Sequence, residues 1–299
     1  MMTTVDPSSI LSTRNLIDVG VQADDVRRRM HGIRTTFVRI FEVHTSAVPS
    51  AIPSGVVAGE FRIVGRPANP DAAVAIAEAA ATLAKNHAAQ RKELFPPTTG
   101  FSLVELRAIS GTDAEFMSLC KQLRDAGFES IAEVALDRLD DADDAIIAAR
   151  EAGLRVERLT VETLPLAANG VDPRVAIVER AKALQERVGG FKVFAPLPRT
   201  MSIAAPTTGY DDVKLIALAR LVVSNIDSIQ VDWPLYGPKL AQVALTMGAD
   251  DVDGIAALDP GLLGTRRSAI EEIKGNIVAA SLDPVERDGR FQPVADAGH

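Results

Sequence analysis

The 299-residue chain has one cysteine, Cys120, and that scarcity excludes more than any other feature of the sequence. One sulfur cannot close an internal disulfide, cannot build a thiolate zinc site, and cannot hold an iron–sulfur cluster. Long apolar runs are also missing. No stretch approaches the roughly 18–20 uninterrupted apolar residues of a membrane-spanning helix. Positive charge is in deficit: 32 Lys and Arg face 40 Asp and Glu, for a formal net charge of -8. Non-specific association with nucleic acid or an anionic membrane is therefore not expected. The first dozen residues have no basic segment followed by an apolar one, so no secretory signal is read there. The expected location is cytoplasmic. The four histidines include no pair three or four residues apart, so no metal-ligand pattern emerges. Gly-x-Ser-x-Gly, Walker and Gly-x-Gly-x-x-Gly motifs are absent as well.

What is present is an alternation of short β-branched runs with longer stretches of helical period, the pattern of βα units on a parallel sheet. Strands are expected at residues 60–64 (EFRIV), 101–109, 130–136, 156–164, 191–197 and 228–232. Helices are expected at 70–89, 114–126, 140–152, 174–188, 210–223, 238–247 and 266–280, the second headed by a Thr112/Glu115 capping box. Residues 250–254 read as an acidic turn, and the tail from 284 as polar. About six βα repeats without a long linker favour a partial or reduced (β/α) barrel of the TIM type over two domains. A Pro/Gly/Ser-rich break at 47–59 sets residues 1–45 apart as an N-terminal appendage, a strand with a capping helix, and leaves 46–299 as the barrel domain.

In such barrels ligands sit where strands end and loops begin. That rule marks 65–69, 198–208, 233–239 and 250–254 as the mouth. Asp250, Asp251 and Asp253 put three carboxylates within four positions. They can bind a cation, accept ribose hydroxyls or supply an acid of raised pKa; equally, they can cap a helix. Trp233, the only tryptophan, follows a strand, with Lys239 behind it. It can stack on a flat ring or fill a gap beneath the loop.

The C-terminal half supplies a resemblance. The run from Arg174, RVAIVERAKALQERVGGFKVFAPLPRT, resembles the helix–Gly-Gly-Phe–strand segment of the menaquinone-pathway radical SAM enzymes, aminofutalosine synthase and dehypoxanthine futalosine cyclase. The similarity continues through Ala217, Arg220, Asn225, Ile226, Trp233, Gly237, Lys239, Gln242, Gly248, Ala249, Asp250, Asp251 and Gly254, and DPVERDGRF (283–291) is similar to the family's closing motif. Upstream, DDVRRRMHG (24–32) and EFRIVG (60–65) echo its opening segment and its His-Ile-Val-Gly-Gly strand. The resemblance implies a radical SAM-type barrel in which Trp233, Lys239, Gln242, Asp250 and Asp251 line the pocket; Asp253, Arg220 and Asn225 join them as candidate substrate-binding residues.

The departures from the family fall together. Its Cys-x-x-x-Cys-x-x-Cys after the first strand corresponds here to 44–59, which has no cysteine and is too short for the cluster loop and first helix. Its Gly-Gly-Gly-Ala-Glu loop is replaced by SIAEV (130–134), and its Gly-His-x-Glu-Thr stretch by LAANG (166–170). No cofactor is therefore expected: no iron–sulfur cluster, and no SAM on an iron. The expected role is a cluster-less binding or partner subunit, with a small-molecule ligand and an intact radical SAM homologue as its associates. A deleted βα unit would leave a strand edge for such a partner to cover. The alternative is a cofactor-independent lyase or hydrolase using Asp250, Asp251 or Asp253, with Lys239 as a charge clamp.

Overall fold

The structure, a computed structural model, describes residues 6–91, 95–139, 142–164, 170–200, 206–258 and 270–294. Two helices, α1 (Pro7–Ser12) and α2 (Leu16–His31), precede strand β1 (Arg34–His44). There follow β2 (Glu60–Val64), α3 (Pro70–Arg91), β3 (Thr98–Ser102), α4 (Leu103–Ser110), α5 (Asp113–Asp125), β4 (Phe128–Ala135) and α6 (Ala142–Glu151). The second half comprises β5 (Arg155–Val156), β6 (Arg158–Val161), α7 (Pro173–Arg187), β7 (Val193–Pro198), α8 (Gly209–Val222), β8 (Ser228–Asp232), α9 (Trp233–Tyr236), α10 (Pro238–Thr246), β9 (Asp251–Ala256), α11 (Ile270–Ala279) and β10 (Asp283–Glu286). Parts of the expected 140–152 helix, the 166–170 segment, the 198–208 loop, the 266–280 helix and the tail lie outside the described residues.

Every strand-to-strand pairing in the sheet is parallel. The order β1-β2-β3-β4-β6-β7-β8-β9 returns to β1, so eight strands close into a ring, with β10 added beside β1 and β5 beside β4. The expected α/β barrel is thus present and fuller than six units. Two misread segments account for the difference. Arg34–His44, assigned to the appendage, is a barrel strand in register with both β2 and β9, and the break at 47–59 falls inside the ring. The supposed acidic turn is β9, whose carboxylates meet arginines instead of water. Because the ring closes, the open strand edge that would call for a covering partner is not there.

A third correction concerns 103–110, which continues from β3 as a helix. Ser102 caps it: its Oγ accepts from Glu105 N, and the Glu105 carboxylate accepts from Ser102 N. This reciprocal pair satisfies two amide groups at the helix start and fixes the strand-to-helix turn.

The apolar core lies between the ring and its helices, where Phe61, Ile63, Leu159, Val161 and Val252 face outward. Their strand neighbours face the lumen, and there the chain has charge. Past β10, residues 287–292 run beneath the strand N-termini. Gly289 N donates to Gly59 O at 3.0 Å, Arg290 pairs with Glu129 at 2.7 Å and donates to Phe95 O at 2.9 Å, and Arg155 donates to Arg290 O at 2.9 Å. A Cβ on Gly289 would come within 2.7 Å of Glu60 Cγ and 2.8 Å of Pro97 Cγ, so only glycine lets this strap lie so close under the barrel.

Candidate functional site

Strand alternation decides where the acidic triplet goes, because side chains two apart share a face. Asp251 and Asp253 point into the lumen, and Val252 between them points to the core. Asp250, one residue before β9, is outside the ring. Asp251 sits low in the barrel, 1% exposed, bridged by Arg287 (Nε–Oδ1 2.6 Å, Nη2–Oδ2 2.7 Å) and bonded by Gln230 and Thr36, each at 2.5 Å. Asp253 is fully buried. It receives two N–H bonds from Arg62 of β2, at 2.8 and 3.0 Å, and an ion contact from Arg158 of β6 at 2.7 Å. Those two strands stand on opposite sides of β9, so the contacts are possible only across the lumen.

Arg62 is also held bidentately by Glu60, which accepts from Thr99 as well. Higher up, Arg199, just past β7, pairs with Glu133 at 2.8 Å and lies 3.6 Å from Asp232. Barrel lumens are usually filled by layers of branched apolar side chains. This one is filled by a chain of guanidiniums and carboxylates.

The electrostatics follow from that packing. Burial pushes the Asp253 carboxyl up, but the Arg158 and Arg62 guanidiniums outweigh it and hold it well below the usual carboxylate range. It is therefore a fixed anion and no acid or base near neutral pH, and the lyase or hydrolase reading loses its best-placed carboxylate. Burial raises Asp232, with Arg199 opposing and Asp253 reinforcing the shift. Its Oδ1 meanwhile caps α9 through Leu235 N at 2.9 Å.

The other expected pocket residues scatter. Asp250 accepts from Arg220 Nη2 and from Ile229 N (2.9 Å); Arg220 also donates to Gly248 O (2.8 Å) and Asp227 O (3.0 Å). This cluster joins α8 to the foot of β9 outside the ring, so neither residue lines a pocket. Asn225 donates to Lys182 O at 3.0 Å, tying the end of α8 to α7. Lys239 is exposed and Gln242 half-buried on α10, in the outer layer. Trp233 is buried at the start of α9 within the apolar core, which is the gap-filling alternative of its two readings.

Open space lies elsewhere. A cavity of about 370 Å³ occupies the mouth at the ends of β2, β3 and β4, between Arg62, Arg66, Phe101, Glu105, Glu133 and Arg138. Among the described residues of the expected mouth segments, only Gly65 and Arg66 of 65–69 contribute. Phe101 closes one wall with φ at +46°, a strained conformation for a bulky residue. Arg62, Arg158, Arg199, Glu133 and Arg287 were not foreseen. A signal existed: an arginine inside a strand, as in EFRIV, or at the head of one, as in RLTV, has no solvent face to point to in a closed parallel barrel.

The donors for a cluster and SAM can be tested against the same geometry. The β1–β2 connection, 45–59, contains no helix and no thiol. The one cysteine is on α5, fully buried, its thiol pushed up to about 12 by burial. The residues present do not fit a [4Fe–4S] centre. Among the described residues, no group of three His, Cys, Asp or Glu side chains is placed to hold a metal ion, and no helix is long and apolar enough to cross a membrane.

Residues 194–296, about a third of the chain, match the family model described as the CofH/MqnC C-terminal region. Aminodeoxyfutalosine synthase of Thermus thermophilus is 28% identical over 209 residues, covering 60% of this chain and 55% of that protein. The synthase of Streptomyces coelicolor is 32% identical over 140 residues, covering 40% and 36%. The 5-amino-6-(D-ribitylamino)uracil–L-tyrosine 4-hydroxyphenyl transferase of Methanothermobacter thermautotrophicus is 30% identical over 203 residues, covering 59% and 55%. The chain spans about half the length, or less, of these curated relatives. Methylornithine synthase has the same fold at a TM-score of 0.61 and 14% identity, covering 95% of this chain and 94% of that one. The hydrogenase maturase HydG of Carboxydothermus hydrogenoformans gives 0.62 at 11% identity, covering 95% and 76%.

Proposed function

From a CofH/MqnC-like relative of the aminodeoxyfutalosine synthases, we propose a protein that has kept the barrel and given up radical chemistry. It is a small-molecule-binding subunit, and it associates with an intact radical SAM enzyme of futalosine-dependent menaquinone biosynthesis. One observation carries the first part: the β1–β2 connection is a short loop with neither thiolates nor a helix, and Cys120 is buried on α5 in the apolar core. The mouth cavity, lined by arginines, carboxylates and Phe101, supports ligand binding. The closed ring means that association rests on the exposed face of the barrel and not on repair of an open edge.

The test has two arms. Anaerobic reconstitution with iron and sulfide is expected to give a colourless protein without stoichiometric metal and without 5′-deoxyadenosine on reduction. A brown, turning-over product overturns the reading. Co-elution with an intact synthase, and a changed turnover of that synthase, is expected for the partner role; no complex and no rate change defeat it. The acid–base alternative has one remaining observation in its favour, the burial-raised carboxyl of Asp232 beside Arg199. It would require Asp232→Asn to abolish an activity that Asp250→Asn and Asp251→Asn leave in place.

A further inference from the structure

The helices around the barrel do not present the same surface. Among the described residues, α3, α4, α5 and α7 expose no large apolar side chain, and α6 exposes Ile147 alone. By contrast, α2 exposes Ile17 (76%) and Val21 (56%), α10 exposes Val243 (46%) and α11 exposes Val278 (60%). These three helices are neighbours. A Cβ on Gly20 of α2 would fall 2.5 Å from Met247 Sδ, just past the end of α10, and α10 packs in turn against α11. A single exposed aliphatic is ordinary on a folded chain, but several on adjoining helices mark a contact face.

The charges around this face point to what covers it. Ile17 and Val21 are four residues apart, so they share one stripe of α2. Arg14 lies three residues before Ile17, just ahead of the helix, and Asp25 lies four residues after Val21. Both are exposed, and among the described residues neither has an ion-pair partner. Along the chain the stripe therefore runs cation, apolar, apolar, anion. A second α2 laid against it in the opposite direction presents anion, apolar, apolar, cation. We propose that this face is the interface of a two-fold homodimer, with α2 antiparallel to its copy and the apolar residues of α10 and α11 beside it. Arg14 then meets Asp25 of the partner subunit, and Ile17 meets Val21 of the partner subunit. Each contact occurs twice, as a two-fold axis requires. The mouth cavity opens at the ends of β2, β3 and β4 and is not part of this face. Dimerisation of this kind is independent of ligand binding at the mouth and of association with a synthase.

The experiment measures the molar mass of the whole chain by sedimentation equilibrium over about 1–100 µM, a range that brackets micromolar affinity. A monomer–dimer equilibrium is expected, and Val21→Glu should weaken it by about tenfold or more. Charge reversal then tests the direction of packing. Arg14→Glu and Asp25→Arg should each weaken the dimer by about threefold, because each places like charges together. Mixing these two variants should restore association, since every facing pair is then opposite in sign. All three side chains are exposed, so the folded monomer is left intact, which circular dichroism checks. A monomer at every concentration overturns the proposal. So does a dimer that Val21→Glu leaves unchanged, or a pair of charge reversals that mixing does not rescue. A chain that is monomeric alone and needs Val21 only to hold a synthase overturns it too, and leaves the synthase association standing.

Discussion

The two faces of this barrel wall follow different rules. The outer face meets the helices through Phe, Leu, Ile and Val; the inner face meets itself through Arg, Asp and Glu. Most residues through which the chain resembles the futalosine enzymes lie on or outside the outer face. Arg220 and Asp250 anchor a helix to a strand foot, Asn225 ties two helices together, and Lys239 and Gln242 are on α10. Those residues therefore hold the architecture together, and the charged lumen is built from other positions, Arg62, Arg158 and Arg199 among them.

Sharp tests of this contrast remove one charge at a time. Asp253→Ala leaves Arg62 and Arg158 facing each other without their shared anion, and about 3–5 kcal/mol of stability should be lost on urea unfolding. Adding Arg158→Met should recover much of that, since an apolar replacement of a buried pair is often near neutral. A loss below about 1 kcal/mol in the single variant would show the lumen wet and the pair screened.

On the outer side, Arg220→Met leaves Asp250 with only Ile229 N and His31 as partners and should cost about 3 kcal/mol on urea unfolding. A loss below about 1 kcal/mol would show this outer cluster screened by water. Gly248→Ala forces a Cβ to 2.8 Å from Arg220 Cβ at φ +107°, and about 2 kcal/mol should disappear from the denaturant-derived stability.

Acid sharpens the contrast further. The Asp253 pKa is lowered in the folded protein, so its contribution is complete above the ordinary carboxylate pKa of 3.8 and is lost as pH falls below it toward the folded value. The slope should be about 1.4 kcal/mol per pH unit at most, and absent in Asp253→Leu/Arg158→Met. Asp232 works in the opposite direction: its folded pKa is raised, so raising pH through the window above 3.8 removes stability, and Asp232→Asn should flatten that fall while keeping the α9 cap. The smallest effect belongs to exposed Lys239, where Lys239→Ala should change stability by no more than about 0.5 kcal/mol and leave ligand binding untouched.

Much of the barrel was legible beforehand. EFRIV, SIQVD and the capped helices stand close to where their periodicity put them, because apolar spacing and caps are local properties. The strand at 251–256 was not legible. DVDGIA looks like a solvated turn unless one knows that two arginines wait across a lumen, and those come from positions 62 and 158. The capping box of α4 was present in the letters Ser102 and Glu105 but hidden behind a run that also suits a strand.

By itself, the sequence determined the α/β alternation and the count of sulfur donors, since each depends only on residue type and spacing along the chain. The tertiary structure alone decided ring closure, the division of the three aspartates of 250–253 between two environments, and the location of the open space. Those depend on which side chains meet across distances the chain must fold to span, and pairing energies at close range exist only once it has done so.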